Sequence, residues 1–113
     1  MKMAVIGGSN SAGSGIDNHT QLFHQLFLQW WDRVVFSNTR SKLTVENSSL
    51  GGTGSDFFTF CLQNFLPMND QPDIIISELS LNDYGHLYGK TAKPMELLAG
   101  RVLFAEHLGV LSL

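Results

Sequence analysis

The sequence has little of what several classes of protein require. Cys61 is its only cysteine, which excludes an intramolecular disulfide. Lysine and arginine together number 7 and form no cluster, and the formal net charge is −3, so we expect no nucleic-acid partner. No run approaches the roughly 18 apolar residues of a transmembrane helix, and the start of the chain has no signal-peptide core. The sequence therefore predicts neither a disulfide scaffold nor a membrane span, and it leaves the compartment undetermined.

The composition that remains is typical of a globular protein. Of the 113 residues, 43% are hydrophobic and 15% are charged, as in ordinary chains that fold around a core. A chain of this length forms one domain at most. We therefore expect residues 1–113 to form a single domain without an internal repeat or a linker.

Short β-like runs alternate with helical ones along the chain. The helical runs place apolar residues three or four positions apart, and the β-like runs are rich in β-branched residues. Alternation of this kind predicts an α/β fold, with a parallel sheet covered by helices. The predicted strands are 3–8, 41–47, 72–79 and 108–113, and the predicted helices are 19–36, 55–66 and 94–106.

Three polar loops follow the first three predicted strands. They read "GGSNSAGSG" (7–15), "SSLGGTGSD" (48–56) and "SLNDYGH" (80–86), and all are rich in glycine, serine or asparagine. Parallel sheets bind their ligands beyond the carboxyl ends of their strands. The sequence therefore predicts a ligand site built from these three loops.

The first loop is compatible with dinucleotide binding. Its glycine-rich turn resembles the G-x-G-x-x-G/A fingerprint that lets a backbone approach a pyrophosphate. With Gly7 and Ala12 as the outer positions, however, Ser9 stands where the middle glycine belongs. The acidic residue expected about 20 positions later is also missing, because Asp32 lies in a helical run and Glu46 comes too late.

Acyl transfer is the second chemistry that the loops allow. A serine directly after a strand, with small neighbours, has the exposure that a nucleophile needs, and nearby amide N–H groups can bind an oxyanion. Ser9 fits that description. The other two loops offer further donors, namely the backbone N–H of Gly52 and the side-chain amide of Asn82.

These residues resemble the SGNH hydrolases, also called GDSL-type esterases and lipases. "GGSNSAG" is similar to the first block of that family, G-D-S followed by a glycine, with Gly8 in place of the aspartate. The resemblance implies that Ser9 is the nucleophile. The second block, an asparagine-led stretch running to a glycine, is matched by "NSSLGGTGSD". It implies an oxyanion donor at Gly52, with Gly51 as the alternative.

The third block of the family, G-x-N-D, is matched by "SLND". Ser80 replaces the glycine, Asn82 becomes the side-chain donor and Asp83 buttresses the loop. The resemblance further implies a three-layer, flavodoxin-like parallel sheet of order 2-1-3-4-5. It implies cleavage of a carboxylic ester, either a carbohydrate acetyl ester or a lipid acyl ester, without a metal or an organic cofactor.

The last block of the family, D-x-x-H, supplies the catalytic acid and base. We expect this block to be absent from the sequence, because His107 has Glu106 directly beside it rather than an acidic residue three positions earlier. His86 follows the third block and is expected to be a solvated loop histidine, with a place lining the crevice as the alternative, and His19 and His24 are expected to face solvent or complete the packing of the first helix. The resemblance therefore implies the N-terminal portion of the domain, ending after the third helix and lacking its catalytic His and Asp. A non-catalytic α/β module that binds a small acyl or glycosyl ligand is the alternative.

Overall fold

A parallel four-stranded sheet organises the computed structural model, which describes residues 1–65, 71–79, 82–83, 93–103 and 109–112. The spatial order is β2-β1-β3-β4. All pairs are parallel, with Val5 opposite Asn47, Gly7 opposite Glu78 and Ile76 opposite Leu111. The flavodoxin-like order implied by the sequence is therefore confirmed for four strands. The strands are β1 (Lys2–Gly7), β2 (Thr44–Asn47), β3 (Ile74–Glu78) and β4 (Gly109–Ser112).

Helices connect these strands. In chain order the α-helices of the described residues are α1 (Ser9–Ala12), α2 (Phe23–Trp31), α3 (Ser37–Thr39), α4 (Ser55–Phe65) and α5 (Lys93–Leu103). None of them is long and apolar enough to cross a membrane.

The predicted continuous helix over residues 19–36 is divided in the structure. A 3₁₀ turn over His19–Gln21 precedes α2, and a π-helical stretch over Asp32–Phe36 joins α2 to α3. The first division occurs because Leu22 has an extended backbone (φ −62°, ψ 143°), which no helix can include. Asn18 stabilises the preceding turn, since its Oδ1 accepts the N–H of Thr20 at 3.1 Å.

The two faces of the sheet are covered by different helices. On one face, Phe58 and Leu62 of α4 and Leu98 of α5 form a buried cluster with Ala4, Ile6 and Ile75. On the other face, Phe27, Leu28 and Trp31 of α2 pack against Met3, Val5 and Ile76. Successive residues of β1 thus point to opposite faces, as the two-residue period of a strand requires. The result is the expected three-layer arrangement.

The carboxyl ends of β1, β2 and β3 are joined by backbone hydrogen bonds that continue past the strands. The N–H of Ser48 donates to the carbonyl of Val5 (2.8 Å), and that of Leu50 donates to the carbonyl of Gly7 (3.0 Å). On the other side of β1, the N–H of Gly8 donates to the carbonyl of Glu78 (3.1 Å). These bonds bring the starts of the three polar loops to one edge of the sheet.

Candidate active site

Ser9 begins the one-turn helix α1 two residues after β1 ends. It is preceded by Gly8, which has an extended backbone, and the turn ends at Gly13, whose positive φ of 96° favours glycine. Gly7 lets the turn fold back closely, because a Cβ on Gly7 would lie 2.6 Å from Oγ of Ser11. The Ser9 residue is partly exposed, whereas Gly8 and Ser11 are buried. The turn therefore presents Ser9 at the sheet edge, with the first, unbonded N–H groups of a helix around it.

The second loop lies against the side chain of Ser9 through Gly51. A Cβ on Gly51 would be 3.9 Å from Cβ of Ser9, whereas a Cβ on Gly52 would meet nothing within 4 Å. Gly52 has a φ of 75°, so its backbone conformation itself favours glycine. Thr53 ties this loop to the first, since its Oγ1 donates to the carbonyls of Leu50 (2.7 Å) and Gly7 (3.3 Å). Of the two glycines, Gly51 is the one whose Cβ direction faces Ser9.

Asn82 brings the third loop over the first. Its Nδ2 donates to the carbonyl of Thr53 at 2.6 Å, and that bond fixes which end of the amide is nitrogen. A Cβ on Gly8 would lie only 2.1 Å from the same nitrogen. The amide therefore occupies the space that a side chain at position 8 would need. Because an amide nitrogen carries two hydrogens, one of them stays available to a ligand.

Asp83 fixes the third loop to the start of α4. Its carboxylate is buried (1% exposed), and Oδ1 accepts the N–H of Ser55 at 2.8 Å. This bond satisfies one of the N–H groups that a helix leaves unpaired at its beginning. Gly54 allows the approach, since a Cβ there would lie 2.6 Å from Oδ1. Asp83 thus holds its neighbour Asn82 in place through the backbone.

Ser11 forms hydrogen bonds with residues of three elements, which the sequence did not predict. Its Oγ donates to Oε2 of Glu78 at 3.0 Å. Its carbonyl accepts Nδ2 of Asn47 at 2.9 Å and lies 3.1 Å from Nε2 of His24. The position of Asn47 at the carboxyl end of β2 was the available signal, because polar side chains at that end face the site region of a parallel sheet.

The histidines divide into two groups. His24 is 1% exposed and completes the packing beside α1, and His19 is exposed, as expected for this pair. Ser80, His86 and His107 lie outside the described residues. The expected absence of the spacing D-x-x-H is wrong, because it occurs once, from Asp83 at the end of the third block to His86. The described residues contain no group of three or more His, Cys, Asp or Glu placed to hold a metal ion.

Comparisons with known proteins give matches among solved structures. No protein-family model and no curated protein sequence matches the chain. A two-domain esterase (CEX) active on acetylated mannans, co-crystallised with mannopentaose, is similar with 26% identity and a TM-score of 0.80 over 99% of this chain and 30% of that one. The psychrotrophic esterase EstA from Pseudoalteromonas sp. is similar with 20% identity and a TM-score of 0.72 over 98% of this chain and 57% of that one. The chain has the fold of the SGNH-type esterases.

The match to the SGNH-type fold covers this chain almost completely but the other proteins only in part. TesA is another similar structure that this chain matches only in part, with 22% identity and a TM-score of 0.64 over 99% of this chain and 59% of TesA. The resemblance read from the three sequence blocks is thus confirmed at the level of the fold. The chain spans about a third to three-fifths of the length of these structures.

Proposed function

We propose that this chain is part of a serine hydrolase that cleaves carboxylic esters, with residues 1–113 belonging to one SGNH-type domain. The observation that carries the proposal is that three loops meet at the carboxyl edge of the sheet, where Gly51 faces Ser9 and the Asn82 amide lies against Gly8, the neighbour of Ser9. The esterases among the similar structures support it. Because one of these, at 25% identity, is described as active on acetylated mannans, an acetyl ester of a carbohydrate is the substrate class that we favour.

In the proposed reaction, Oγ of Ser9 attacks the carbonyl carbon of the ester and gives its proton to a general base. The negative oxygen of the tetrahedral intermediate accepts hydrogen bonds from the N–H of Ser9, from the N–H of Gly52 or of its neighbour Gly51, and from the free N–H of the Asn82 amide. The alcohol leaves with the proton, and water then releases the acid from Ser9. Each donor of such an oxyanion site contributes about 10² to 10³ in rate.

The general base is the part of the reaction that the described residues do not supply. His24 is engaged with the carbonyl of Ser11, and His19 is the only other histidine in the described part of the chain. We propose that the base and its acid come from sequence outside residues 1–113. Without a base, oxyanion stabilisation and binding alone leave about 10³ to 10⁴ over water in the best-studied serine hydrolase.

Chemical rescue tests this proposal on the chain itself. A fluorophosphonate probe should label Ser9 slowly, and added imidazole should accelerate the labelling by supplying the missing base. Mass spectrometry identifies the modified residue. Ser9→Ala should abolish the labelling. Ser14→Ala is the matched control and should label normally, because Ser14 is an exposed serine of the same loop.

Three outcomes would contradict parts of the proposal. Labelling that is equal in the wild type and in Ser9→Ala would exclude Ser9 as the nucleophile. An absence of labelling with and without imidazole would favour the non-catalytic binding module. Loss of the imidazole-independent labelling in His86→Gln would place the base inside this chain.

A further inference from the structure

We propose that His24 and Asn47 are positioning residues that orient Ser9 by holding the carbonyl of Ser11. The inference rests on the proposed nucleophile but concerns residues to which the three sequence blocks assign no role, since Asn47 only opens the second block and His24 lies outside all three. Both side chains reach the same oxygen, His24 from α2 at 3.1 Å and Asn47 from β2 at 2.9 Å.

The short length of α1 explains why that carbonyl needs partners. The last carbonyls of a helix have no N–H to accept within the helix, and α1 ends at Ala12, one residue after Ser11. Ser11 is fully buried (0% exposed), so water cannot donate a hydrogen bond to its carbonyl instead. A buried carbonyl left unpaired destabilises the folded state. The two side chains therefore supply the hydrogen-bond donors that the backbone of a longer helix would have provided.

The two ring nitrogens of His24 face different neighbours. A carbonyl only accepts hydrogen bonds, so Nε2 of His24 carries the hydrogen that points to Ser11. The other nitrogen, Nδ1, faces the amide nitrogen of Gln25 at 3.4 Å, which is a donor. Both ring nitrogens thus have a partner within the chain. His24 therefore acts on Ser9 through Ser11 and not as its base.

The turn transmits this restraint to Ser9 because it is bonded internally. The carbonyl of Ser9 accepts the N–H groups of Gly13 and Ser14, both at 3.0 Å, and the N–H of Ala12 donates to the carbonyl of Gly8 at 3.0 Å. On its other side, Oγ of Ser11 is held by Glu78. A turn bonded in this way moves as one piece, so releasing the Ser11 carbonyl changes where Oγ of Ser9 points.

Four variants test the inference through the rate of fluorophosphonate labelling in imidazole. His24→Phe keeps a ring but removes both nitrogens, and His24→Gln keeps a nitrogen donor. Asn47→Asp removes the donor but keeps the oxygen that accepts the N–H of Ser49 at 3.1 Å. Since a displacement of about 1 Å can cost about 10²-fold in rate, we expect a tenfold to hundredfold loss in His24→Phe and in Asn47→Asp, with partial recovery in His24→Gln. Leu62→Ala, in the cluster on the other face of the sheet, should lower the Tm without changing the labelling rate of the folded protein.

Amide hydrogen exchange is a second test of the positioning role, and it does not depend on a reaction at Ser9. Exchange at Ala12 and Gly13 should be faster in His24→Phe and Asn47→Asp, while exchange at Ile75 in β3 stays as in the wild type. The inference is overturned if both variants label at the wild-type rate with unchanged exchange, or if Leu62→Ala slows labelling as much as they do. If the wild type itself is not labelled, the proposed function fails, and exchange in the α1 turn alone decides the positioning role.

Discussion

Replacing Gly8 by alanine should separate activity from stability. The new Cβ would lie 2.1 Å from Nδ2 of Asn82, about 1.3 Å short of an ordinary contact at 3.4 Å. The backbone of Gly8 has a negative φ of −89° in the extended region, so alanine introduces no conformational strain of its own. The Asn82 side chain must therefore move, and its hydrogen bond to the carbonyl of Thr53 is lost.

The magnitudes predict a small effect on stability and a large effect on the labelling rate. Losing the hydrogen bond costs about 0.5 to 1.5 kcal/mol of stability, and the smaller entropy of the unfolded alanine chain offsets about 0.4 to 1 kcal/mol of that loss. The free energy of unfolding, measured in urea, should therefore change by less than about 1 kcal/mol. Removing one oxyanion donor should slow labelling of Ser9 by about 10² to 10³.

A double-mutant cycle checks whether the effect passes through Asn82. In an Asn82→Ala background, Gly8→Ala has nothing to displace and should cause no further loss of labelling. If Gly8→Ala labels at the wild-type rate, or if its effect is unchanged without the Asn82 side chain, the proposed role of the amide is refuted.

Four further substitutions have defined outcomes. Asp83→Ala removes the acceptor for the N–H of Ser55 and should cost about 0.5 to 2 kcal/mol in urea denaturation, as does the loss of other helix caps; an unchanged midpoint would contradict the capping role. Phe58→Ala, fully buried in the α4 cluster, should cost about 3 to 5 kcal/mol, a loss that differential scanning calorimetry measures. Gly52→Ala should lower stability by about 1 to 2 kcal/mol because of its positive φ, whereas Gly51→Ala, which meets only an ordinary contact, should leave the Tm unchanged.

The sequence was sufficient where the pattern of side chains reflects burial. The apolar run of β1 and two isoleucines of β3, Ile75 and Ile76, are buried in the sheet core, with Met3, Ile6 and Ile75 at 0% exposure. The convergence of the three loops also followed, because it depends only on strand direction and strand order.

Contacts between loops could not be obtained from the same pattern. Spacing along the chain says nothing about which of Gly51 and Gly52 touches Ser9, since that depends on the path of a turn with a positive φ. His24 is buried near the start of α2, just after the break at Leu22. The spacing of apolar residues shows neither the break nor this burial. Gly8 was a departure from a motif in the sequence, and its reason became visible only beside the amide of Asn82.

The parallel pairing of β1 with β3 also has a consequence for folding. Ser9 and Asn82 lie on loops that follow these two strands, far apart in the chain, and no hairpin can bring them together early. Pairing of distant parallel strands is a slow step, because the chain loses the entropy of loop closure before the stabilising contacts between the strands form. The crevice should therefore be absent from any partly folded form, and time-resolved labelling of Ser9 during refolding would report when the centre of the sheet is complete.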